Sequence, residues 1–225
     1  MIESYKDNGF LLSKKLLSNE DLDPIKKTLS ELVSEVFPFE EKRKEVNSAS
    51  WVEFSKKNPD VIADIYNKMR DHSVLKSLGK SEKITKIINE LIDKPGLYNN
   101  IPFRVDVPFE TKELAYWHQD DCYVEGNSQE VTAWIPLYDT KIEHGCLKVM
   151  PGSHKLGPVP HTLKVGKKSL PRDIYDREVR YVEMDSGDVL FFSSYLLHSS
   201  SLNFSDQIRY SVQLRYTSTK LNVSP

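Results

Sequence analysis

Cysteine is scarce in this 225-residue chain, and what little there is forms no motif. Cys122 and Cys146 make no CxxC pair, which removes a zinc ribbon or a dithiol redox site and reads as two free thiols in a reducing compartment. Long apolar runs are missing too: none approaches the roughly 20 residues needed to cross a bilayer. Met1 to Asp7 carries acids and lacks the apolar core of a secretory signal, so the expected location is cytoplasmic. Nor is there an excess of one charge. Lys and Arg number 31 against 33 Asp and Glu, so the composition offers nothing to a nucleic-acid backbone. No nucleic-acid or membrane partner is expected, and a small-molecule ligand is. Hydrophobic content of 39% and charged content of 28% fit an ordinary globular protein, with length enough for a sizeable core.

Residues 9–18 read as a short strand with an exit turn, and Ser18-Asn19-Glu20-Asp21 caps a helix. Leu22, Ile25, Leu29, Leu32, Val33 and Val36 carry its helical spacing, and Pro38 ends it. From Ser50 to Asp93 the pattern stays helical, with stripes at Val61, Ile62, Ile65, Tyr66, Met69 and at Ile84, Ile87, Ile88, Leu91 that face a core. Pro95-Gly96 then breaks the pattern. Beyond residue 97 come short β-branched and aromatic runs: Leu97–Val107, Tyr116–Tyr123, Val131–Tyr138, Leu147–Met150, Val179–Glu183, Val189–Phe192 and Ile208–Thr217. Such spacing predicts an antiparallel sandwich or barrel. We expect a single domain over residues 1–225, with 1–96 as a helical buttress and 97–217 as the barrel core.

In Trp117-His118-Gln119-Asp120, a strand of period two would point His118 and Asp120 to the same face. His198, after the apolar Val189-Leu190-Phe191-Phe192, supplies a third ligand. Two histidines and a carboxylate on one face of a metal leave positions open, as in non-haem Fe(II) oxygenases. Taken alone, the triplet is weak evidence and reads more readily as a solvated turn pair than as a metal site. The run Ile208 to Tyr216 alternates without a fault, its odd face carrying Arg209, Ser211, Gln213 and Arg215. By pattern that face suits an edge strand in water. Yet Arg209, eleven residues beyond His198, can return across a hairpin, where a guanidinium matches the distal carboxylate of a dicarboxylic cosubstrate, with Ser200 or Ser211 completing the cradle.

The stretch from Trp117 to Tyr216 resembles the phytanoyl-CoA dioxygenase family of Fe(II)/2-oxoglutarate oxygenases. The matching elements are Trp117-His118-Gln119-Asp120, Trp134 in Val-Thr-Ala-Trp-Ile-Pro-Leu, Gly145 to His154 ending in Pro-Gly-Ser-His, Gly187 to Phe192, His198-Ser199-Ser200 and Arg209. The resemblance implies a mainly β fold with α: a double-stranded β-helix, or jelly-roll barrel, with N-terminal helices packed on one sheet. It places His118, Asp120 and His198 on the iron ligands, Arg209 on the cosubstrate arginine, and Ser200 and Trp134 on further cosubstrate contacts. The implied enzyme is a dioxygenase using Fe(II), 2-oxoglutarate and O2, which hydroxylates a small polar metabolite or a carrier-bound substrate and releases succinate and CO2. Another metal-dependent enzyme on a cupin-like barrel and a non-catalytic jelly-roll binding module are the competing classes.

Departures from the family pattern are few. His144 stands where asparagine is common, as either a loop or a pocket residue. Asp121 suits a capping role on the opposite strand face, His154 a structural bond within its turn, and Cys122 either the pocket wall or a buried thiol. Residues 40–96 match no named motif. For the substrate, Arg104, Tyr123, Gln213 and Arg215 are the candidate contacts, with Tyr195 as a further wall and Arg215 alternatively at the rim. Gly157–Asp176, rich in glycine and proline, reads as a flexible lid loop.

Overall fold

A computed structural model of the chain describes residues 2–37, 46–111, 114–123, 130–160, 162–164, 167–169 and 177–218. The chain opens with α1 (Ile2–Asn8) and β1 (Phe10–Ser13), followed by α2 (Asn19–Val36). Asp21 fixes the start of α2 by accepting the Ser18 backbone N–H at 2.6 Å and its hydroxyl at 2.9 Å. Four shorter helices follow: α3 (Ala49–Lys57), α4 (Pro59–Asp71), α5 (Ser73–Gly79) and α6 (Glu82–Leu91). Pro59 begins α4 and the His72 ring caps α5, so the long helical stretch is cut where the sequence supplies start signals.

The strands β2 (Pro95–Leu97), β3 (Phe103–Asp106), β4 (Glu130–Pro136), β9 (Val189–Ser193) and β11 (Arg209–Ser218) join β1 in a six-stranded antiparallel sheet. Its order is β1-β9-β4-β11-β2, with β3 also beside β11. A second sheet of β10 (His198–Ser200), β5 (Leu147–Val149) and β8 (Arg180–Val182) faces it. Trp134, Leu190 and Phe192 from the large sheet meet Leu147, Val149 and Val182 from the small one in an apolar layer between them. The result is a jelly-roll sandwich with helices against the outer face of the large sheet.

Strand β11 lies inside the sheet, not at its edge. Along one side it pairs with β4, from Ser211 opposite Pro136 to Thr217 opposite Glu130. Along the other it pairs first with β3 and then with β2. Its alternation therefore separates two buried layers. The even side, Tyr210, Val212, Leu214 and Tyr216, joins the helical core. There the Tyr210 hydroxyl accepts from Trp51 Nε1 at 2.9 Å and donates to Val46 O, while the Tyr216 hydroxyl donates to Gly79 O. Trp51 is fully buried, so Trp51→Ala should lower unfolding free energy by about 3–5 kcal/mol in urea denaturation, through the cavity and the lost hydrogen bond to the Tyr210 hydroxyl.

Three expectations are corrected. Leu97–Val107 is two strands, because Asn99-Asn100 and Pro102 interrupt the ladder. Tyr116–Tyr123 is no strand: only His118 forms a bridge, opposite His198, and Asp120–Tyr123 is a single 3-10 turn. The lid segment contains a two-stranded hairpin, β6 (Thr162–Lys164) with β7 (Lys167–Ser169), while residues 161, 165–166 and 170–176 fall outside those described.

Candidate metal centre

His118, Asp120 and His198 come together in the apolar space between the sheets. One ligand atom from each lies within 4.8 Å of the others, and among the described residues no other group of His, Cys, Asp and Glu is placed to hold a metal. All three are buried, at 6%, 2% and 5% exposure. The two histidines face each other through a two-way backbone bridge, His118 N to His198 O at 2.9 Å and the reverse at 3.0 Å. Asp120 reaches the same point because the chain turns into the 3-10 helix there. Its Oδ1 lies 3.6 Å from His118 Nε2 and 3.8 Å from His198 Nε2.

The surroundings set each donor's state. His118 Nδ1 lies 2.7 Å from Tyr116 O, and His198 Nδ1 lies 3.0 Å from Leu196 O. A carbonyl only accepts, so each Nδ1 carries the proton and each Nε2 turns its lone pair inward. Burial, reinforced by His118, pushes His198 down to about 4, so it is neutral at pH 7. Burial alone would raise the Asp120 carboxyl. The Arg215 guanidinium above all, with the two imidazoles, instead holds it well below the usual carboxylate range. Two imidazoles with Nε2 turned inward and one carboxylate form a donor set fit for a divalent ion.

Asp120 is held from both sides. Its Oδ2 accepts from Thr132 Oγ1 at 2.8 Å, and its Oδ1 accepts from Arg215 Nη2 at 3.1 Å. Glu130 lies beyond, its side chain fully buried and its Oε1 3.9 Å from Arg215 Nε. Burial and the Asp120 carboxylate push Glu130 up to about 7, against the pull of Arg215. Gln119, between the two ligands, is fully buried and donates to Gly157 O and Tyr195 O while accepting from Val159 N. It ties the ligand loop to the start of the lid segment.

On the same inner face of β11, Arg209 is buried at 4% exposure. Asp106, directly opposite on β3, takes its Nη2 at 2.8 Å and its Nε at 3.3 Å. Its Nη1 is buried with no hydrogen-bond partner, and so is the Ser211 hydroxyl two residues on. Trp134 lies alongside, its ring centre 5.9 Å from the Arg209 guanidinium carbon. A buried cation with an idle N–H next to an idle hydroxyl suits an anionic group from a ligand.

The sequence profile of the phytanoyl-CoA dioxygenase (PhyH) family matches residues 5–211. The chain belongs to this family. Among curated proteins it is 34% identical over 100 residues to the 1-deoxypentalenic acid 11-beta-hydroxylase of Streptomyces arenae, a match covering 40% of this chain and 35% of that one. It is 24% identical over 215 residues to the human peroxisomal phytanoyl-CoA dioxygenase, covering 87% and 61%. The chain thus spans about a third of the first relative and about three fifths of the second. Among solved structures, EvdO2 from Micromonospora carbonacea, complexed with 2-oxoglutarate, superposes with a TM-score of 0.64 at 14% identity, covering 96% of this chain and 89% of that one. That likeness supports the jelly-roll fold.

The remaining candidates of this PhyH-family chain divide sharply. Gln213 sits opposite Trp134 on the inner face, and Ser200 lies on β10 opposite Leu147. Arg104 is ion-paired with Asp106 at 2.8 Å and Arg215 with Asp120, because buried carboxylates in this apolar layer demand cationic partners. The Tyr123 and Cys122 side chains, and His161, lie outside the described residues. His144 is a turn residue whose Nδ1 accepts from Lys141 N, and His154 binds Lys6 O. Gly145 must be glycine: at φ 77° a Cβ would stand 2.5 Å from Ser201 O. Asp106, Glu130, Thr132 and Gln119 were given no role by sequence. Glu130 and Thr132 share the period-two parity of Trp134 on β4, which was the available signal.

Proposed function

We propose that this chain is an Fe(II)- and 2-oxoglutarate-dependent dioxygenase that hydroxylates a small polar metabolite or a carrier-bound substrate, releasing succinate and CO2. The observation that carries the proposal is the idle, buried Nη1 of Arg209 on the barrel face that also carries the Asp120 partner Arg215. A merely structural arginine in an apolar layer would have all its donors satisfied. In this reading His118, Asp120 and His198 hold Fe(II), while Arg209 with Ser211 receives the distal carboxylate of 2-oxoglutarate. Trp134 walls that carboxylate, and Ser200 stands at the β10 side. Iron, 2-oxoglutarate and O2 together supply an oxidant strong enough to remove hydrogen from an unactivated carbon. Leu190, Phe192 and Leu147 keep water from the space between the sheets.

Asp106 acts through Arg209. It fixes the Nε and Nη2 edge and so leaves Nη1 turned to the ligand, while its own carboxyl is held near 2 by Arg104 and Arg209 against burial. Asp106→Asn should weaken 2-oxoglutarate binding about tenfold, an order-of-magnitude figure for one charge-assisted bond, with metal affinity unchanged in calorimetry. Of the substrate candidates, Gln213 keeps its place in this reading, and Arg104 and Arg215 become supports. The action on small molecules, the lack of nucleic-acid and membrane partners, the cytoplasmic setting and the one-domain organisation belong to the same proposal; no described helix is long and apolar enough to cross a membrane. Succinate release screened over a metabolite panel tests it. Turnover coupled to one substrate supports the reading, and a panel with neither coupled nor uncoupled succinate formation contradicts it.

A further inference from the structure

Arg215 occupies an unusual place for a metal-site neighbour. Asp120 Oδ2 is already taken by Thr132. Arg215 therefore bonds Oδ1, the oxygen that looks at both imidazoles, at 3.1 Å against 3.6 Å and 3.8 Å. An ion shared by the three ligands would draw on that oxygen, so metal and guanidinium would compete for the charge of one carboxylate inside a buried space. A second acceptor stands ready. Glu130 precedes Thr132 by two residues on the same face of β4, and the Thr132–Arg215 and Glu130–Thr217 pairs make it the diagonal neighbour of Arg215. Its side chain is fully buried, no donor lies in good hydrogen-bonding geometry to either carboxylate oxygen although the Tyr98 hydroxyl is near enough to favour its charged form, and Oε1 is 3.9 Å from Arg215 Nε, just beyond bonding distance.

We propose that Arg215 is a stand-in cation for the metal, and that metal binding passes its guanidinium from Asp120 to Glu130. Without metal, Arg215 neutralises Asp120 and keeps the buried carboxylates of Asp120, on its 3-10 turn, and Glu130, on β4, from repelling each other. With metal bound, the Oδ1 charge would be taken up by the ion, and a closure of about 1 Å from 3.9 Å would bring Nε onto Glu130. The centre is thereby kept assembled before loading, and the metal must outcompete an internal cation to enter. Arg215 is a positioning residue in this scheme and does not touch the reacting atoms. The proposal rests on the metal-centre reading above.

The test uses metal alone. Zn(II) is titrated into the intact protein while the arginine Nε–H resonances are followed by NMR, with that of Arg215 identified by its loss in Arg215→Lys. The expected result is a downfield shift and slowed exchange of the Arg215 Nε–H on Zn(II) addition, absent in Glu130→Gln. In parallel, Co(II) affinity is measured from its visible absorption. Arg215→Gln should bind Co(II) about tenfold more tightly, by removal of the competitor, and melt at a lower temperature without metal. Glu130→Gln should bind it several-fold more weakly, and that penalty should shrink in the Arg215→Gln background, because the two residues act as one device. An Nε–H indifferent to bound Zn(II), or equal Glu130→Gln penalties in both backgrounds, overturns the handover while leaving the metal centre standing. Failure of both Zn(II) and Co(II) to bind removes the metal centre and the handover together.

Discussion

Asp120→Ala abolishes tight Fe(II) binding: under anaerobic titration the affinity falls by at least about 100-fold, more than loss of an outer-shell partner would cause. Asp120 is the one anion among the three donors, and its Oδ1 is the atom equidistant, within 0.2 Å, from the two imidazole nitrogens at 3.6 Å and 3.8 Å. Removing it leaves two imidazole nitrogens and no anionic ligand, and frees the Arg215 guanidinium from its 3.1 Å bond. The loss is therefore twofold: a ligand disappears and a cation is left beside the site with only Glu130 to answer it. Asp120→Asn separates these effects, because it keeps the Thr132 contact and the side-chain shape while removing the charge. Iron retained at wild-type affinity in either variant would mean that the three residues are a structural cluster.

Arg209→Ala has a different signature. Iron affinity stays within a few-fold of wild type, while 2-oxoglutarate binding to the iron-loaded protein weakens by roughly 100- to 1,000-fold, the equivalent of two charge-assisted hydrogen bonds. The separation follows from the pairing. Arg209 is clamped by Asp106 and touches none of the three metal donors, whereas Arg215, six residues on along the same face, is bound to Asp120. Asp106 keeps Arg104 as a partner, at 2.8 Å, so the variant leaves no lone buried carboxylate and should fold. Parallel loss of iron would show that Arg209 supports the metal ligands and would return the cosubstrate site to an unassigned state. Arg209→Lys is the sharper companion, since a single ammonium cannot offer both the clamped edge and the free N–H.

Much of this site was legible because strand alternation is a strict code. The odd residues of β11 landed on one inner face, Arg209 and Ser211 with idle polar atoms among them. The same code failed at His118 and Asp120. They meet, but through a bridge to His198 and a 3-10 turn, since a bare His-x-Asp spacing cannot distinguish two strand residues from one bridge residue and the start of a turn. Local pattern also could not say what lay beside β11. Read alone it was an edge strand with a wet polar face; only the non-local pairing with β3 and β4 buries it and so brings Asp106 onto Arg209, read as the cosubstrate arginine, and Asp120 onto Arg215, read as a substrate contact. The helices were visible from their stripes, and their division at Asn58-Pro59 and His72 followed capping chemistry that residue periodicity does not register. The substrate end stayed dark for a physical reason: a cation in an apolar layer looks the same in sequence whether it serves a ligand or a neighbouring carboxylate.

One measurement reaches the central claim directly. Fe(II) is added anaerobically to the protein, then 2-oxoglutarate, and the visible spectrum is recorded. An iron centre held by His118, Asp120 and His198, with its cosubstrate anchored by Arg209, gives a metal-to-ligand charge-transfer band that needs both additions, vanishes in Asp120→Ala and requires far more 2-oxoglutarate in Arg209→Ala. A spectrum without that band at saturating iron and 2-oxoglutarate would contradict it.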